Sequence, residues 1–270
     1  MRALMPLAPA VSRYDHVLLD LDGCLWVGDA ALPGAADAVA ALRAAGKSVR
    51  FLTNDVRHAP EAFVRKLWRL GFQASLDEVI TVGAALQFRL AERHGRGAAY
   101  VVGSQALVDH VADSGLRVVN GTRFAARADV VVVGGHDALS FEELKLATQA
   151  VLRGAELIGA TRDAAFPMPD GLWPGTGAVL AAIETASGRR AAYIVGKPEP
   201  PMYEAARDRL GPGRMLAVGD LLDVDVAGAR RAGMDSALVL TGATTRAEAE
   251  AALEPPTHVA DSLAALVLGS

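Results

Sequence analysis

The sequence predicts an α/β fold: a doubly wound parallel sheet with a second α/β domain inserted into it. Short Val/Ile/Leu runs alternate with Ala-rich stretches of helical length, which is typical of parallel strands joined by crossover helices. Near both ends of the chain these apolar runs are followed directly by Asp, Asn, Thr or Lys residues. The middle of the chain has a second series of apolar runs and helical stretches that lacks this pattern. Hydrophobic residues make up 51% of the 270 residues, enough for a substantial core.

The outer parts of the chain supply the elements of the predicted core. Helices are favoured after Pro33, a good first helical residue, and before Gly46, a good C-terminal cap. The expected strands are 17–19, 49–52, 193–195, 215–218 and 237–240, and the expected helices are 33–45 and 60–70.

The middle of the chain predicts a second α/β series that begins near Ile80. Its expected strands are 100–102, 130–133 and 157–158, its expected helices are 105–113, 141–153 and 177–185, and the Pro/Gly-rich stretch 167–177 is expected to be a loop. We therefore predict a discontinuous core domain at residues 1–80 and 189–270, interrupted by an α/β domain at 81–188.

Composition excludes several classes of partner. The net charge of −4 and the pI near 5.9 provide no basic field for nucleic acid or an anionic membrane. The single cysteine, Cys24, rules out an intramolecular disulfide. Residues 1–11 are apolar but are interrupted by Pro6 and Pro9, unlike a signal peptide or a membrane span. These features predict a cytoplasmic protein.

Polar residues collect where the predicted core strands end. One isolated Asp there is as readily a turn former or a helix cap, but here the acids follow two separate strands. In open parallel sheets ligands bind beyond the carboxyl ends of the strands. The residues concerned are Asp20, Asp22, Thr53, Asn54, Lys197, Asp220, Asp223 and Asp225.

Their chemistry points to a metal ion and a phosphate. Carboxylates brought together would raise one another's pKa, and a hard divalent cation relieves that repulsion. Mg²⁺ favours a few carboxylates, several waters and a phosphate oxygen. Lys197 would supply a fixed positive charge for a phosphoryl group, and the Thr53 hydroxyl a neutral donor. The sequence thus predicts Mg²⁺ as cofactor and a small phosphorylated molecule as ligand.

These residues also form four ordered motifs that resemble those of the haloacid dehalogenase-like phosphatases. The motifs are Asp20-Leu21-Asp22-Gly23-Cys24-Leu25-Trp26, Thr53-Asn54, Gly196-Lys197-Pro198 and Gly219-Asp220-Leu221-Leu222-Asp223-Val224-Asp225. The insertion between the second and third motifs resembles subclass IIA, which includes p-nitrophenyl phosphatase-like, phosphoglycolate and pyridoxal phosphate phosphatases. Further similarity lies at 161–164, 170–177 and 184–189, and the resemblance covers about residues 15–245.

The resemblance implies a phosphoric monoester hydrolase with a Rossmann-like core and an inserted cap domain. Asp20 would be the nucleophile, and Asp22 the general acid and then the base. Thr53 and Lys197 would hold the phosphoryl oxygens. The implied metal ligands are Asp20, the backbone carbonyl of Asp22, and Asp220, with Asp225 supporting the site. The implied substrate-binding residues are Thr53, Asn54, Arg162, Asp163, Trp173 and Lys197. A homodimer through the cap is a further implication.

Several alternatives stay open at this point. A phosphotransferase or phosphomutase would use the same residues, and a phosphometabolite-binding protein could retain them without turnover. Asp55 follows Thr53-Asn54 where relatives often have Asn, and it could pair with Arg57. Arg162 could bind a substrate carboxylate or pair with Asp163 or Asp170. Trp26 and Trp173 could contact substrate or simply pack.

Overall fold

The computed structural model describes residues 7–168 and 171–269. The strands are β1 (His16–Asp20), β2 (Trp26–Val27), β3 (Ala30–Ala31), β4 (Ser48–Thr53), β5 (Val79–Thr81), β6 (Ala98–Gly103), β7 (Arg117–Val118), β8 (Val130–Gly135), β9 (Glu156–Gly159), β10 (Ala165–Met168), β11 (Gly171–Pro174), β12 (Tyr193–Ile194), β13 (Met215–Gly219), β14 (Asp235–Val239) and β15 (His258–Ala260).

The helices between them are mostly of moderate length. They are α1 (Pro9–Ser12), α2 (Ala35–Ala44), α3 (Pro60–Arg69), α4 (Val82–His94), α5 (Gln105–Asp113), α6 (Phe141–Leu152), α7 (Thr176–Ser187), α8 (Pro201–Leu210), α9 (Ala227–Arg231), α10 (Arg246–Ala251) and α11 (Leu263–Leu268). Short 3₁₀ turns lie at Leu76–Glu78 and Ala125–Arg127, and a π-helical turn lies at Leu222–Val226.

The chain divides into two compact units. The first contains the described residues up to Thr53, then Pro60–Ile80, and the described residues from Lys197 onward; the second contains Asn54–Ala59 and Thr81–Gly196. The assignment of a discontinuous catalytic core domain to residues 1–80 and 189–270, and of an inserted α/β cap domain to residues 81–188, stays a prediction.

The first unit is built on a six-stranded sheet in the order β15-β14-β13-β1-β4-β5. Strand β1 lies at its centre and pairs in parallel with β13 and β4. Leu19, Phe51 and Val218 belong to its buried hydrophobic cluster. Strands buried on both faces are largely apolar, and the acids Asp20 and Asp220 stand at the carboxyl ends of β1 and β13. The candidate site therefore lies at the carboxyl edge of this sheet.

The second unit has its own five-stranded parallel sheet in the order β12-β9-β8-β6-β7. Residues Val130, Val131, Val132 and Val133 of its central strand are completely buried. A separate hydrophobic cluster that includes Val131, Leu157 and Leu180 forms its core. The chain segment that forms the second parallel sheet is inserted between the two segments that form the first. The predicted fold class is therefore confirmed.

Two local predictions were wrong. The strand at 193–195 was placed with the core, yet β12 pairs in parallel with β9, with Tyr193 opposite Ile158. A short apolar run does not specify its sheet, and Ile194 packs against the second unit's cluster. The stretch 167–177, expected to be a loop, contributes to the antiparallel pair β10–β11 and to the start of α7. Prolines are tolerated in such two-stranded edges.

Among the residues that the structure describes, no helix combines the length and the apolar character needed to cross a membrane.

Candidate active site

The centre of the site is the ammonium group of Lys197, which lies between two carboxylates of the first unit. Its Nζ donates to Oδ1 of Asp20 at 2.5 Å and to Oδ1 of Asp225 at 2.7 Å. The Lys197 residue is only 3% exposed, so water screens these pairs weakly. Burial alone would lower the pKa of Lys197, but Asp20 and Asp225 raise it well above its usual value. The lysine is therefore a fixed positive charge.

Three carboxylates meet around Asp20. Oxygens of Asp20, Asp220 and Asp225 all lie within 4.8 Å of one another, close enough to hold one metal ion. Burial raises the pKa of Asp20 well above its usual range, and the charges of Asp225 and Asp220 raise it further against the opposing effect of Lys197. Burial likewise raises the pKa of Asp220. Three acids face one ammonium, so this all-oxygen donor set fits a hard divalent cation such as Mg²⁺.

Glycines permit the close approach around Asp220. Gly23 has φ 73°, and a Cβ on it would lie 2.6 Å from Cγ of Asp220. A Cβ on Gly242 would lie 1.9 Å from Oδ2 of Asp220. The backbone N–H of Ala243 donates to that Oδ2 at 2.8 Å. The contribution of Gly242 and Ala243 was not predicted from the sequence, although Thr241-Gly242 directly after a predicted strand was a visible signal.

Asp225 is held by the π-helical turn that follows β13. The N–H of Leu221 donates to its Oδ2 at 3.2 Å, and a Cβ on Gly219 would lie 2.1 Å from its Cγ. The hydroxyl of Tyr203, on α8, donates to the Asp225 backbone carbonyl at 3.2 Å. π-helical turns are frequent at functional sites. The hydrogen bond from Tyr203 supports the backbone at Asp225, and this contact was not predicted from the sequence.

The carboxylate of Asp22 is not one of the three that cluster around Asp20. It is exposed, and its Oδ1 accepts a hydrogen bond from Nε1 of Trp26 at 2.7 Å. The turn that follows β1 is closed by the N–H of Gly23, which donates to the carbonyl of Trp26 at 2.8 Å. Its predicted roles, as proton donor through the carboxyl and metal ligand through the backbone carbonyl, stay predictions.

The second motif lies at the end of β4. Thr53 is the buried last residue of the strand, and its neighbour Leu52 is opposite Asp20 in the sheet. Asn54 belongs to the second unit, where its Nδ2 donates to Oδ2 of Asp163 at 3.5 Å. The roles of Thr53 and Asn54 in binding a substrate stay predictions.

Asp55 is neutralised within its own loop. Its Oδ2 lies 3.3 Å from Nη2 of Arg57 and 2.9 Å from Nδ1 of His58. Burial alone would raise the pKa of Asp55, but the His58 hydrogen bond and Arg57 lower it to about 2. The pairing of Asp55 with Arg57 is confirmed, so its extra negative charge is balanced locally.

Arg162, in the second unit, forms a bidentate pair with Glu184. The distances are 2.8 Å from Nη2 to Oε1 and 3.2 Å from Nη1 to Oε2. Arg190 and the N–H of Ala191 also donate to this buried carboxylate, each at 2.9 Å. Glu184 is therefore a structural partner of Arg162 that we had not anticipated. Asp163 bonds Asn54 instead, and Asp170 lies outside the described residues. Substrate binding by Arg162, Asp163 and the half-buried Trp173 stays a prediction.

Substitution of Glu184 should show how much this network stabilises the protein. The hydrogen bond from Arg162 and the charges around it lower the pKa of Glu184 to about 2. Its stabilisation is therefore present above its unfolded pKa, about 4.5, and is lost as the pH falls towards 2. We expect Glu184→Gln to lower the free energy of unfolding by about 1–2 kcal/mol at pH 7, since its arginine partners are partly exposed. Thermal unfolding of the wild type and the variant at pH 7, 5 and 3.5 should show that their difference in stability becomes smaller as the pH falls.

A matched control is Glu142→Gln, which breaks an exposed pair with Lys145 in the same unit and should change stability very little. A deficit for Glu184→Gln that is the same at pH 7 and pH 3.5 would contradict the ionic role of Glu184.

Comparison with known proteins places the chain in a family. Residues 17–117 match the haloacid dehalogenase-like hydrolase family, and residues 194–266 match the HAD-hydrolase-like family. Human chronophin is 37% identical over 267 residues, with 93% of this chain and 90% of chronophin covered. The acid sugar phosphatase of Staphylococcus epidermidis (strain ATCC 12228) is 30% identical, with 92% of this chain and 95% of that protein covered.

Solved structures agree with this assignment. The glycerol phosphate phosphatase of Mycobacterium tuberculosis in complex with magnesium is similar at TM-score 0.88 and 34% identity, with 94% of this chain and 77% of that chain covered. The 4-nitrophenylphosphatase of Thermotoga maritima is similar at TM-score 0.88 and 31% identity, with 95% of this chain and 97% of that chain covered. The chain therefore belongs to the haloacid dehalogenase-like hydrolases, subclass IIA. The predicted class of enzyme, a phosphatase of this family, is confirmed.

Proposed function

We propose that the protein hydrolyses small phosphomonoester metabolites in two steps, through an aspartyl-phosphate on Asp20, with Mg²⁺ as cofactor. The observation that carries this proposal is the position of Lys197, which is bonded to both Asp20 and Asp225 inside a cluster of three carboxylates. A carboxylate nucleophile divides a difficult displacement into two easier ones. The cluster supplies a nucleophile, a fixed cation and oxygen ligands in one place.

In the first step an Asp20 carboxylate oxygen attacks phosphorus, and the bond from phosphorus to the ester oxygen breaks. Asp22 gives its carboxyl proton to that departing oxygen. In the second step Asp22 removes a proton from water, which attacks phosphorus and releases inorganic phosphate and free Asp20. Lys197 orients Asp20 throughout, and the Thr53 hydroxyl donates to a phosphoryl oxygen.

The residues that would hold the cofactor are the carboxylates of Asp20 and Asp220 and the backbone carbonyl of Asp22, with Asp225 supporting them. The mycobacterial relative solved in complex with magnesium supports Mg²⁺ as the ion. When bound, Mg²⁺ offsets the negative charges of the carboxylates and the phosphoryl group, so that one anion can approach another.

Removal of the divalent cation should abolish phosphatase activity, and Mg²⁺ should restore it. Without a cation, the carboxylates of Asp20, Asp220 and Asp225 would repel the phosphate dianion. Ca²⁺ takes more ligands at longer distances than Mg²⁺, so we expect it to engage both oxygens of Asp20 and to inhibit. Phosphate release should be measured after chelation and after stepwise addition of each ion.

This experiment needs a control for the folded state, because metal removal could unfold the protein. Circular dichroism should show an unchanged fold in chelator. Full activity in excess chelator would contradict the proposed role of the cation.

The similar proteins support a class of substrate. A sugar phosphatase and a glycerol phosphate phosphatase are among the similar proteins, which supports small phosphorylated metabolites as substrates. By resemblance, Asn54, Arg162, Asp163 and Trp173 would select the leaving group. A screen of phosphorylated metabolites, run with the wild type and Trp173→Ala, tests this. Phosphate recovered as the free ion, and not on an added sugar, separates hydrolysis from phosphoryl transfer.

We also propose that the protein is cytoplasmic and forms a homodimer through the inserted unit. The single cysteine, Cys24, is buried and cannot form an intramolecular disulfide, which fits a reducing compartment such as the cytoplasm. Phe141 and Leu172 of the second unit are large apolar side chains that are 84% and 76% exposed, and each could be covered by a partner. Light scattering coupled to size exclusion, with Phe141→Ser as comparison, tests the dimer; a monomer at all concentrations would contradict it.

A further inference from the structure

The indole of Trp26 is bonded to the side chain that would transfer the proton. Its Nε1 donates to Oδ1 of Asp22 at 2.7 Å. Trp26 is 0% exposed, whereas Asp22 is exposed. A completely buried ring thus anchors a carboxyl that would otherwise turn freely in solvent.

The ring that makes this bond is itself fixed by its neighbours in the first unit. Phe72 meets it edge-on, with 6.5 Å between the ring centroids. Nζ of Lys66 lies 4.5 Å from the centroid over its face. Packed side chains of this kind hold one rotamer, so Nε1 of Trp26 is a stationary donor.

The hydrogen bond also distinguishes the two oxygens of Asp22. Oδ1 is engaged by the indole, which leaves Oδ2 as the oxygen that can carry and release a proton. A proton donor must lie within hydrogen-bond reach of the departing oxygen, and small displacements of such a group are costly. A carboxyl held by one oxygen meets this demand better than a freely rotating one.

We infer that Trp26 is a positioning residue, which holds Asp22 in the orientation from which Oδ2 protonates the leaving group. This rests on the proposed role of Asp22 as general acid. Phe at this position would keep an aromatic ring in the core but would remove the N–H that donates to Asp22. The inference therefore concerns one hydrogen bond and not the hydrophobic contacts of the ring.

The test is Trp26→Phe, assayed with glycerol phosphate, whose alkoxide is a poor leaving group, and with p-nitrophenyl phosphate, whose phenolate is a good one. The readout is kcat/KM, which reports only formation of the phosphorylated enzyme, whereas kcat also contains the second step, in which Asp22 acts as base for both esters. We expect kcat/KM for glycerol phosphate to fall about 10- to 100-fold, the effect of losing a hydrogen bond to a charged group. For p-nitrophenyl phosphate, kcat/KM should fall less than about threefold, since this group leaves without protonation. Equal losses for both esters, or no loss, would overturn the inference.

Trp68→Phe is the matched control. Trp68 lies in the same unit, and its Nε1 donates to the carbonyl of Ala74 at 2.8 Å. Trp68→Phe should leave the ratio of the two kcat/KM values unchanged. If Trp26→Phe does not fold, benzothienylalanine installed at position 26 by nonsense suppression keeps the shape of the ring and removes the N–H. It should give the same substrate-dependent loss.

Asp22→Asn separates this inference from the proposed function. It should show the same dependence on the leaving group, and adding Trp26→Phe should then have no further effect. If Asp22→Asn lowers kcat/KM equally for both esters, the assignment of Asp22 as general acid fails. If Asp22→Asn discriminates between the esters and Trp26→Phe does not, only the role of Trp26 fails.

Discussion

Asp20→Asn should abolish turnover, by about 10⁴- to 10⁶-fold in kcat, which is typical for removal of a catalytic nucleophile. An amide is nearly the same shape as the carboxylate but is a very poor nucleophile. Asp20 ends β1, bonded to Lys197 and close to Asp220 and Asp225. Steady-state phosphate release from p-nitrophenyl phosphate measures the loss.

The fold should survive this substitution, because the amide oxygen can still accept the Lys197 hydrogen bond. Asp37→Asn is the matched control, since Asp37 lies exposed on α2 of the same unit. It should keep wild-type activity. A folded Asp20→Asn variant with near-normal kcat would contradict the assignment of the nucleophile.

Lys197→Met should be the second most damaging substitution, because it affects both activity and stability. Loss of a preorganised cation beside the phosphoryl group should lower kcat by about 10³-fold. The partly buried Asp20 and the buried Asp225 would then face each other without their shared ammonium. Leaving a buried charge unpaired costs about 3–5 kcal/mol. Parallel measurements of kcat and of chemical unfolding would give both effects.

Two further variants separate the effects of Lys197 on activity and stability. Lys47→Met changes a lysine of the same unit that bonds only the carbonyl of Ser12 in the described contacts, and it should leave kcat unchanged. Adding Asp225→Asn to Lys197→Met removes one unpaired carboxylate, so it should recover stability without recovering activity. A Lys197→Met variant with wild-type stability would contradict the buried ion pairs.

The sequence was sufficient to predict the residues that meet at the carboxyl edge of the core sheet. Strands β1 and β13 are apolar runs that are followed by acids, and parallel neighbours bring those ends together. Asp20 and Asp220 were found in this way, and the structure places their carboxylates in one cluster with that of Asp225. Lys197 also bonds Asp20 and Asp225, although the strand before it, β12, belongs to the other sheet. The pairing of Asp55 with Arg57 had been one of two alternatives, and its partner lies only two residues away.

Contacts that depend on packing between distant segments could not be predicted. Glu184 lies 22 residues from Arg162 in the chain and reaches it only because α7 packs beside the loop after β9. The supports given by Tyr203 to Asp225 and by Gly242 to Asp220 depend on how α8 and the end of β14 approach the site. Strand β12 joined the other sheet for the same reason, since a short apolar run carries no information about its partner strand.

Chemical trapping of the phosphorylated enzyme tests directly whether Asp20 is the nucleophile. The protein would be mixed with substrate and Mg²⁺, quenched in acid, reduced with borohydride and examined by peptide mass spectrometry. Borohydride reduces an acyl phosphate to an alcohol, so phosphorylated aspartate becomes homoserine. Attack by Asp20 should give homoserine at position 20 in the substrate-treated wild type, and none when substrate is omitted. Turnover without any homoserine at position 20, or with homoserine at another acid, would contradict this role of Asp20.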